Sequence, residues 1–159
     1  MCKHPLLCFL ENKEEKSSAR IVGRAFSFGK QGGFIMAKAI NAAKAPAAVG
    51  PYVHAVQAGD IIFTSGQLGL IPETGELAVG VEAQAEQAIK NIEVVLKEAG
   101  CTLKNVVKTT VFLADMKDFA AINAIYAKYF GENKPARSCV QAAALPKGGL
   151  FEMEVIAVK

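Results

Sequence analysis

The stretch VEAQAEQAIKNIEVVLKEAGCTLKNVVKTTVFLAD, residues 81–115, combines two different apolar spacings. In residues 81–99 apolar side chains recur every three or four positions, which predicts an amphipathic helix that ends at Gly100. The apolar positions are Ala85, Ala88, Ile89, Ile92, Val95, Leu96 and Ala99. Residues 106–115 instead alternate as a strand does. The alternation predicts Val107, Thr109, Val111 and Leu113 on one face of that strand, and Lys108, Thr110 and Phe112 on the other.

Two further strands are predicted before this stretch. Residues 52–57 and 61–70 are rich in β-branched and aromatic side chains, and Ala58-Gly59-Asp60 separates them as a hairpin turn would.

A second helix and two closing strands are predicted after it. Asp118 is the expected N-cap of a helix that carries Phe119, Ile122, Tyr126, Tyr129 and Phe130 on one side. The segments ARSCVQAAAL and LFEMEVIAV then have strand character, and PKGG between them has the glycines of a tight reversal.

The predicted order of elements is strand, strand, helix, strand, helix, strand, strand. This order predicts an α+β fold, a two-layer sandwich in which both helices cover one face of a mixed sheet. The other face must then meet solvent or another subunit. Because the closing strands are apolar on both faces, we expect the chain to form an oligomer.

Composition and charge divide the 159 residues into two parts. With 52% hydrophobic residues the chain can build the core of one domain. We expect residues 37–159 to be that domain and residues 1–36 to be a disordered extension; the alternative is an organellar targeting segment. From residue 36 onward there are twelve basic and twelve acidic residues, so bulk charge does not indicate a nucleic-acid-binding surface.

The cysteines and the apolar segments exclude several other classes. The four cysteines include no CxxC pair, and His4 and His54 complete no zinc-ligand spacing, so reduced thiols in the cytoplasm and no metal are expected. The early apolar run PLLCFL is too short to span a membrane.

Two further signals are weak. SGQLG, residues 65–69, lacks the lysine of a phosphate-binding loop and does not match GxSxG. A lone histidine such as His54 is more often structural than catalytic.

The sequence ARSCVQ is the strongest candidate for a functional site. A strand here places Arg137, Cys139 and Gln141 on one face, and a hairpin through PKGG would bring Arg137 within reach of Glu152 or Glu154. A structural ion pair and an active site both fit this spacing, and strand parity does not choose between the glutamates. Cys139 has the character of a small core residue rather than a nucleophile, since no histidine is at hand to activate it.

Three segments together resemble the RidA/YjgF family of reactive-intermediate deaminases. They are APAAVGPYVHAVQAGDIIFTSGQLG, VVKTTVFLADMKDFAAINAIYAKYF and PARSCVQAAALPKGGLFEMEVIAV, and the resemblance covers residues 37–159. It implies a chorismate-mutase-like subunit, a homotrimer with sites between subunits, and hydrolysis of 2-imino acids such as 2-iminopropanoate and 2-iminobutanoate to 2-oxo acids and ammonia. No metal, nucleotide or flavin cofactor is implied.

The resemblance also implies roles for individual residues. Arg137 matches the essential arginine, which would hold the substrate carboxylate through two parallel bonds. Glu152 matches the functional glutamate, which would orient or deprotonate the attacking water. The remaining matched positions are expected to line the substrate pocket: Tyr52, Gly66, Asn123 and the backbone of Cys139.

Two other functions are alternatives. Members of the family have been described as ribonucleases and translation inhibitors, and a non-catalytic trimer that binds small carboxylates or acts like a chaperone also fits. The neutral charge of residues 36–159 argues against strong nucleic-acid binding.

Overall fold

The computed structural model describes residues 25–26 and 35–159, with side chains from residue 37 onward. The extension expected at residues 1–36 therefore lies almost wholly outside the described residues. The two helices are α1 (Val81–Glu98) and α2 (Phe119–Phe130). The strands are β1 (Ala25–Phe26), β2 (Ile35–Ile40), β3 (Ala55–Ala58), β4 (Ile61–Thr64), β5 (Gln67–Leu68), β6 (Val106–Leu113), β7 (Ala136–Gln141) and β8 (Phe151–Val158).

The strands form one mixed sheet in the order β1-β2-β3-β4-β8-β6-β7, and β5 pairs with the start of β8. The β6–β7 pair is parallel and the other pairs are antiparallel. The predicted hairpin between β3 and β4 is present, with Gly59 at φ 61° in its turn. The α+β class, with one mixed sheet and two helices, is confirmed.

The predicted hairpin between β7 and β8 is wrong, because β6 lies between these two strands. Helix α2 connects β6 to β7 as a crossover, and such a connection makes its two strands parallel neighbours. β7 therefore occupies one edge of β6, and β8 pairs with the other edge in an antiparallel register. The PKGG segment forms a short 3₁₀ turn, Pro146–Gly148, within the longer connection between the strands.

Both helices pack on the same face of the sheet. Alternate residues of β8, from Phe151 to Ala157, are buried there together with the apolar side of α1. Helix α2 packs beside α1, and its Tyr126 hydroxyl lies 2.9 Å from the Thr109 hydroxyl on β6. The core thus lies between the helices and the centre of the sheet.

The ends of the helices follow the prediction only in part. At the end of α1, Gly100 takes φ 76°, and the N–H groups of Gly100 and Cys101 bond to the carbonyls of Lys97 and Leu96. This is the expected glycine stop. At the start of α2, the side chain of Asp118 makes no capping bond. Asp115 instead accepts the Lys117 N–H and caps the 3₁₀ turn Met116–Asp118 that precedes α2.

A bulge in β6 changes one predicted face. Val107 was expected beside Thr109, but the register with β8 shifts between Val106 and Lys108, and Val107 is 48% exposed. The extra residue of a bulge turns its side chain away from the alternation of its strand. From Thr109 to Leu113 the predicted alternation is confirmed, with the odd-numbered residues buried.

The face of the sheet opposite the helices is partly apolar and uncovered. Ile61, Phe63, Val140 and Val158 are each 38–44% exposed on this side. Within the described part of the chain, no helix is both long and apolar enough to cross a membrane.

Candidate functional site

A cleft beside the start of β8 contains three of the predicted site residues. Its empty volume is about 490 Å³, part of it open to solvent, and Tyr52, Gly66 and Glu152 all line it. The remaining wall comes from residues 46–49, the segment around Leu68 and Leu70, and the turn at Pro146 and Lys147. The cleft combines mostly apolar residues with a few polar ones, among them the Glu152 carboxyl and Lys147, as small-molecule sites commonly do.

Gly66 leaves room for the carboxyl group of Glu152, which lies directly over its backbone. A Cβ atom on residue 66 would collide with Glu152 Oε1 and lie 2.9 Å from Glu152 Cδ. The bare backbone of Gly66 therefore lets the carboxyl group reach the floor of the cleft.

Helix α1 holds this floor in place through buried amide side chains. Asn91 is 1% exposed and donates to the carbonyls of Leu68 and Leu70, at 3.0 and 2.9 Å. Gln84 accepts the N–H of Leu150 at 2.8 Å. These bonds satisfy backbone groups that the short strand β5 leaves unpaired, and so fix the segment that follows Gly66.

The electrostatic environment of Glu152 favours its protonated form. Burial raises the pKa of the Glu152 carboxyl above its ordinary value of 4.5, and the nearby charge of Glu154 raises that pKa further. The two residues are two apart on β8, so both side chains project from the same face of the strand. A raised pKa makes a carboxyl group a stronger base, and so better able to accept a proton during a reaction.

His54 supports one wall of the cleft through two hydrogen bonds. It is buried, its Nδ1 accepts the N–H of Ala42 at 3.1 Å, and its Nε2 lies 2.9 Å from the carbonyl of Pro46. The hydroxyl of Tyr52 accepts the N–H of Val49 at 3.1 Å. The structural role predicted for His54 agrees with these bonds, but its place in the cleft wall was missed, because no local pattern links it to residues 42–46.

Arg137 lies away from this cleft, on the side of the sheet that carries the helices. Its guanidinium carbon is 4.5 Å from the centre of the Tyr126 ring and 5.6 Å from that of Phe119. Among the described residues its guanidinium takes part in no ion pair. The expectation that a β7–β8 hairpin would bring Arg137 within reach of Glu152 or Glu154 is therefore wrong, and the alternative of an ion pair with either glutamate of the same chain is excluded.

The strand register explains the separation of Arg137 from Glu152. Arg137 pairs with Thr109 and Glu152 pairs with Phe112, so the two lie on opposite edges and opposite faces of β6. Two strand spacings separate their backbones by about 10 Å across the sheet, and three residues add about 10 Å along it.

Two other predicted residues lie on the Arg137 side. Cys139 follows Arg137 by two positions on the same face of β7, and burial raises the pKa of its thiol. This shift agrees with the prediction that the thiol is not a nucleophile. Asn123 is exposed on α2 at helical spacing from Phe119 and Tyr126. One chain thus carries two groups: the cleft group (Tyr52, Gly66 and Glu152) and the arginine group (Arg137, Cys139 and Asn123).

A family model described as "Endoribonuclease L-PSP" matches residues 42–159, most of the chain and both groups. The chain belongs to this family. The resemblance to RidA/YjgF proteins is thereby confirmed, because members of the same family carry those names among the similar solved structures. The RidA protein of Psychrobacter sp. PAMC 21119 is 48% identical, covers 77% of this chain and 99% of its own, and has a TM-score of 0.75.

Other members of the L-PSP family carry functional names. The mouse (Mus musculus) protein named 2-iminobutanoate/2-iminopropanoate deaminase is 53% identical over 79% of this chain and 93% of its own length. The human (Homo sapiens) protein of the same name is 49% identical over 79% and 92%. The E. coli TdcF structure with bound serine is 43% identical, covers 77% of this chain and 98% of its own, and has a TM-score of 0.73.

Replacing Glu154 by glutamine should lower the pKa of Glu152, because the substitution removes a negative charge that opposes ionisation. A carbon-13 NMR titration of the glutamate carboxyl groups measures this pKa. Glu98→Gln, at the far end of α1, is the control and should leave the titration of Glu152 unchanged. An unchanged Glu152 pKa in Glu154→Gln would contradict the coupling of the two carboxyl groups.

Proposed function

We propose that the chain hydrolyses 2-imino acids, 2-iminopropanoate and 2-iminobutanoate among them, to 2-oxo acids and ammonia. The observation that carries this proposal is the cleft carboxyl of Glu152 with its raised pKa, in a chain about half identical to two proteins named for this deamination. Imines react readily with water. An enzyme can therefore accelerate their hydrolysis by positioning the reactants and supplying one group that transfers protons.

Arg137 is proposed to bind the carboxylate of the imino acid. Its planar guanidinium can form two parallel charge-assisted hydrogen bonds with that carboxylate, each contributing roughly 1.5–3 kcal/mol where solvent is excluded. The TdcF structure with bound serine supports a small amino acid-like ligand, since serine also combines a carboxylate with nitrogen on the adjacent carbon. Asn123 and the backbone of Cys139 would line the same end of the ligand.

Glu152 is proposed to act on the attacking water. In its ionised form it accepts a proton as the water oxygen bonds to the imine carbon, and it passes that proton to the nitrogen, so that the C=N double bond becomes a C–N single bond. The proton of the new hydroxyl group then passes through Glu152 to the nitrogen, the C–N bond breaks, and ammonia leaves. The carbon becomes the carbonyl of the 2-oxo acid. Tyr52 and Gly66 would border the reacting carbon in this cleft.

The two groups of one chain lie on opposite faces of its sheet, so we propose that each site combines two subunits. The arginine group of one subunit would meet the cleft group of its neighbour. Because the two groups use different surfaces, the contact would be head-to-tail, and a head-to-tail contact forms a ring when the rotation between subunits closes. We propose the homotrimer as that ring. The exposed apolar side chains of the open sheet face supply surface for the contact.

Ribonuclease activity is the second candidate, and the description of the family is the observation that favours it. The twelve basic and twelve acidic residues from position 36 onward give RNA little electrostatic attraction to this part of the chain. RNA cleavage by protein purified free of contaminating nucleases, lost in Arg137→Ala, would support this candidate.

Arg137→Ala should lower the rate of ammonia release by at least about 100-fold, because the carboxylate loses its bidentate partner and its alignment. The imines are generated in the assay by a dehydratase that acts on threonine or serine. Arg137→Lys keeps the charge but not the planar fork, so its rate should fall between those of the wild type and Arg137→Ala. Sedimentation of each variant controls for assembly. A nearly normal rate for Arg137→Ala would overturn the proposed role.

Gly66→Ala should lower the rate while changing stability little, because its methyl group displaces only the mobile end of the Glu152 side chain. Gly69→Ala is the contrasting control. A methyl group there would collide with the backbone of Gln84 in α1, so this variant should lose about 1–3 kcal/mol of stability. Denaturant unfolding and the coupled ammonia assay measure the two effects. A fully active Gly66→Ala protein would contradict a catalytic role for the Glu152 carboxyl in this position.

A further inference from the structure

The described contacts of the Arg137 side chain are with aromatic rings rather than with anions. Its guanidinium carbon lies 4.5 Å from the centre of the Tyr126 ring, and Phe119 is farther away at 5.6 Å. A cation over an aromatic ring is attracted by the negative face of that ring. The arginine is therefore held by a partner that neutralises none of its charge.

The Tyr126 ring is itself rigidly held. It is 9% exposed, its hydroxyl lies 2.9 Å from that of the fully buried Thr109, and its ring stacks on Phe130 with centroids 4.6 Å apart. Burial raises the pKa of the Tyr126 phenol above 10.0, so the phenol is neutral at physiological pH. Thr109 is also the register partner of Arg137 on the neighbouring strand. Thr109, which contacts the Tyr126 hydroxyl, and Arg137, which lies over the Tyr126 ring, are thus neighbours on adjacent strands.

A guanidinium group has two chemically different surfaces, its flat faces and the edge that carries the N–H donors. The guanidinium carbon lies over the Tyr126 ring, whereas the five N–H donors lie in the plane of the guanidinium group and point outward from its edge. A carboxylate binds at that edge. An ion pair with a protein carboxylate would occupy the same donors, but an aromatic contact leaves them available.

We propose that Tyr126, through its buried aromatic ring, is a positioning residue for Arg137. It holds the guanidinium in one orientation before the ligand arrives and keeps its N–H edge free for a carboxylate. This inference rests on the proposed carboxylate-binding role of Arg137. The benefit is preorganisation, because a long side chain that is already ordered loses less conformational freedom when the ligand binds.

Proton NMR of the arginine Nε–H groups tests the contact itself. The chain has three arginines, Arg20, Arg24 and Arg137, so the Arg137 signal is assigned by its loss in Arg137→Ala. In the folded wild type this signal should lie upfield of its position in urea, because the Tyr126 ring current shields it. The shift should persist in Tyr126→Phe, which keeps a ring, and disappear in Tyr126→Leu. A wild-type signal at its unfolded position would overturn the proposal without any variant.

Calorimetry with 2-oxobutanoate measures whether the preorganisation of Arg137 strengthens carboxylate binding. Tyr126→Leu should raise the Kd about three- to tenfold, the cost of ordering one long side chain, whereas Tyr126→Phe should change it less than about twofold. Tyr129→Leu on the same helix removes a phenol near Glu86 and Glu93 rather than near Arg137, and should leave both readouts as in the wild type. An unchanged Kd in a folded Tyr126→Leu protein would overturn the positioning role.

The two proposals fail in different ways. Unaltered 2-oxobutanoate binding by Arg137→Ala would contradict the carboxylate-binding role of Arg137, although the ring-current shift in the wild type could still be present. A missing ring-current shift, together with lost binding in Arg137→Ala, would leave Arg137 as the carboxylate ligand and overturn only the role of Tyr126.

Discussion

The pairing of β6 with β8 on one edge and with β7 on the other determines where the charged side chains of this domain can lie. β6 and β7 form the only parallel pair in the described sheet, because α2 carries the chain from β6 across to β7. That crossover moves the strand containing Arg137 to the outer edge of the sheet. Arg137 is paired with Thr109 of β6, whose side chain faces the helices, and therefore lies on the helix side. Glu152 is paired with Phe112 of β6, whose side chain faces the open side, and therefore lies there.

Glu152 and Arg137 lie in different environments. Glu152 lies over the bare backbone of Gly66 in a partly buried cleft, where desolvation and the charge of Glu154 favour its protonated form. The Arg137 side chain is exposed, and its guanidinium carbon lies 4.5 Å from the centre of the Tyr126 ring. A carboxyl group and an arginine that met directly would form an ion pair and occupy each other's hydrogen-bonding groups. Their separation on opposite faces of the sheet prevents that pairing within one subunit.

Much of the fold follows from local sequence, and most of the site geometry does not. The three- and four-residue spacing of α1, the stop at Gly100 and the β3–β4 turn at Gly59 depend on neighbouring residues, so the sequence predicts them correctly. The hairpin between β7 and β8 was wrong because PKGG has turn chemistry, while strand pairing is decided by the α2 crossover elsewhere in the chain. Val107 was misplaced because a bulge leaves no clear mark in an alternating sequence. The stacking of Arg137 on Tyr126 could not be read from either segment alone, since the two residues belong to different elements that meet only in the folded chain.

Complementation between two inactive variants tests most directly whether a complete site needs two subunits. Arg137→Ala and Glu152→Gln proteins are each assayed alone, then unfolded together in equal amounts, refolded and assayed again for ammonia release. In a ring of randomly mixed subunits, about a quarter of the interfaces would combine an intact Arg137 from one chain with an intact Glu152 from its neighbour. We therefore predict recovery of about a quarter of the wild-type rate. No recovery in mixed oligomers that have formed normally would contradict the shared site.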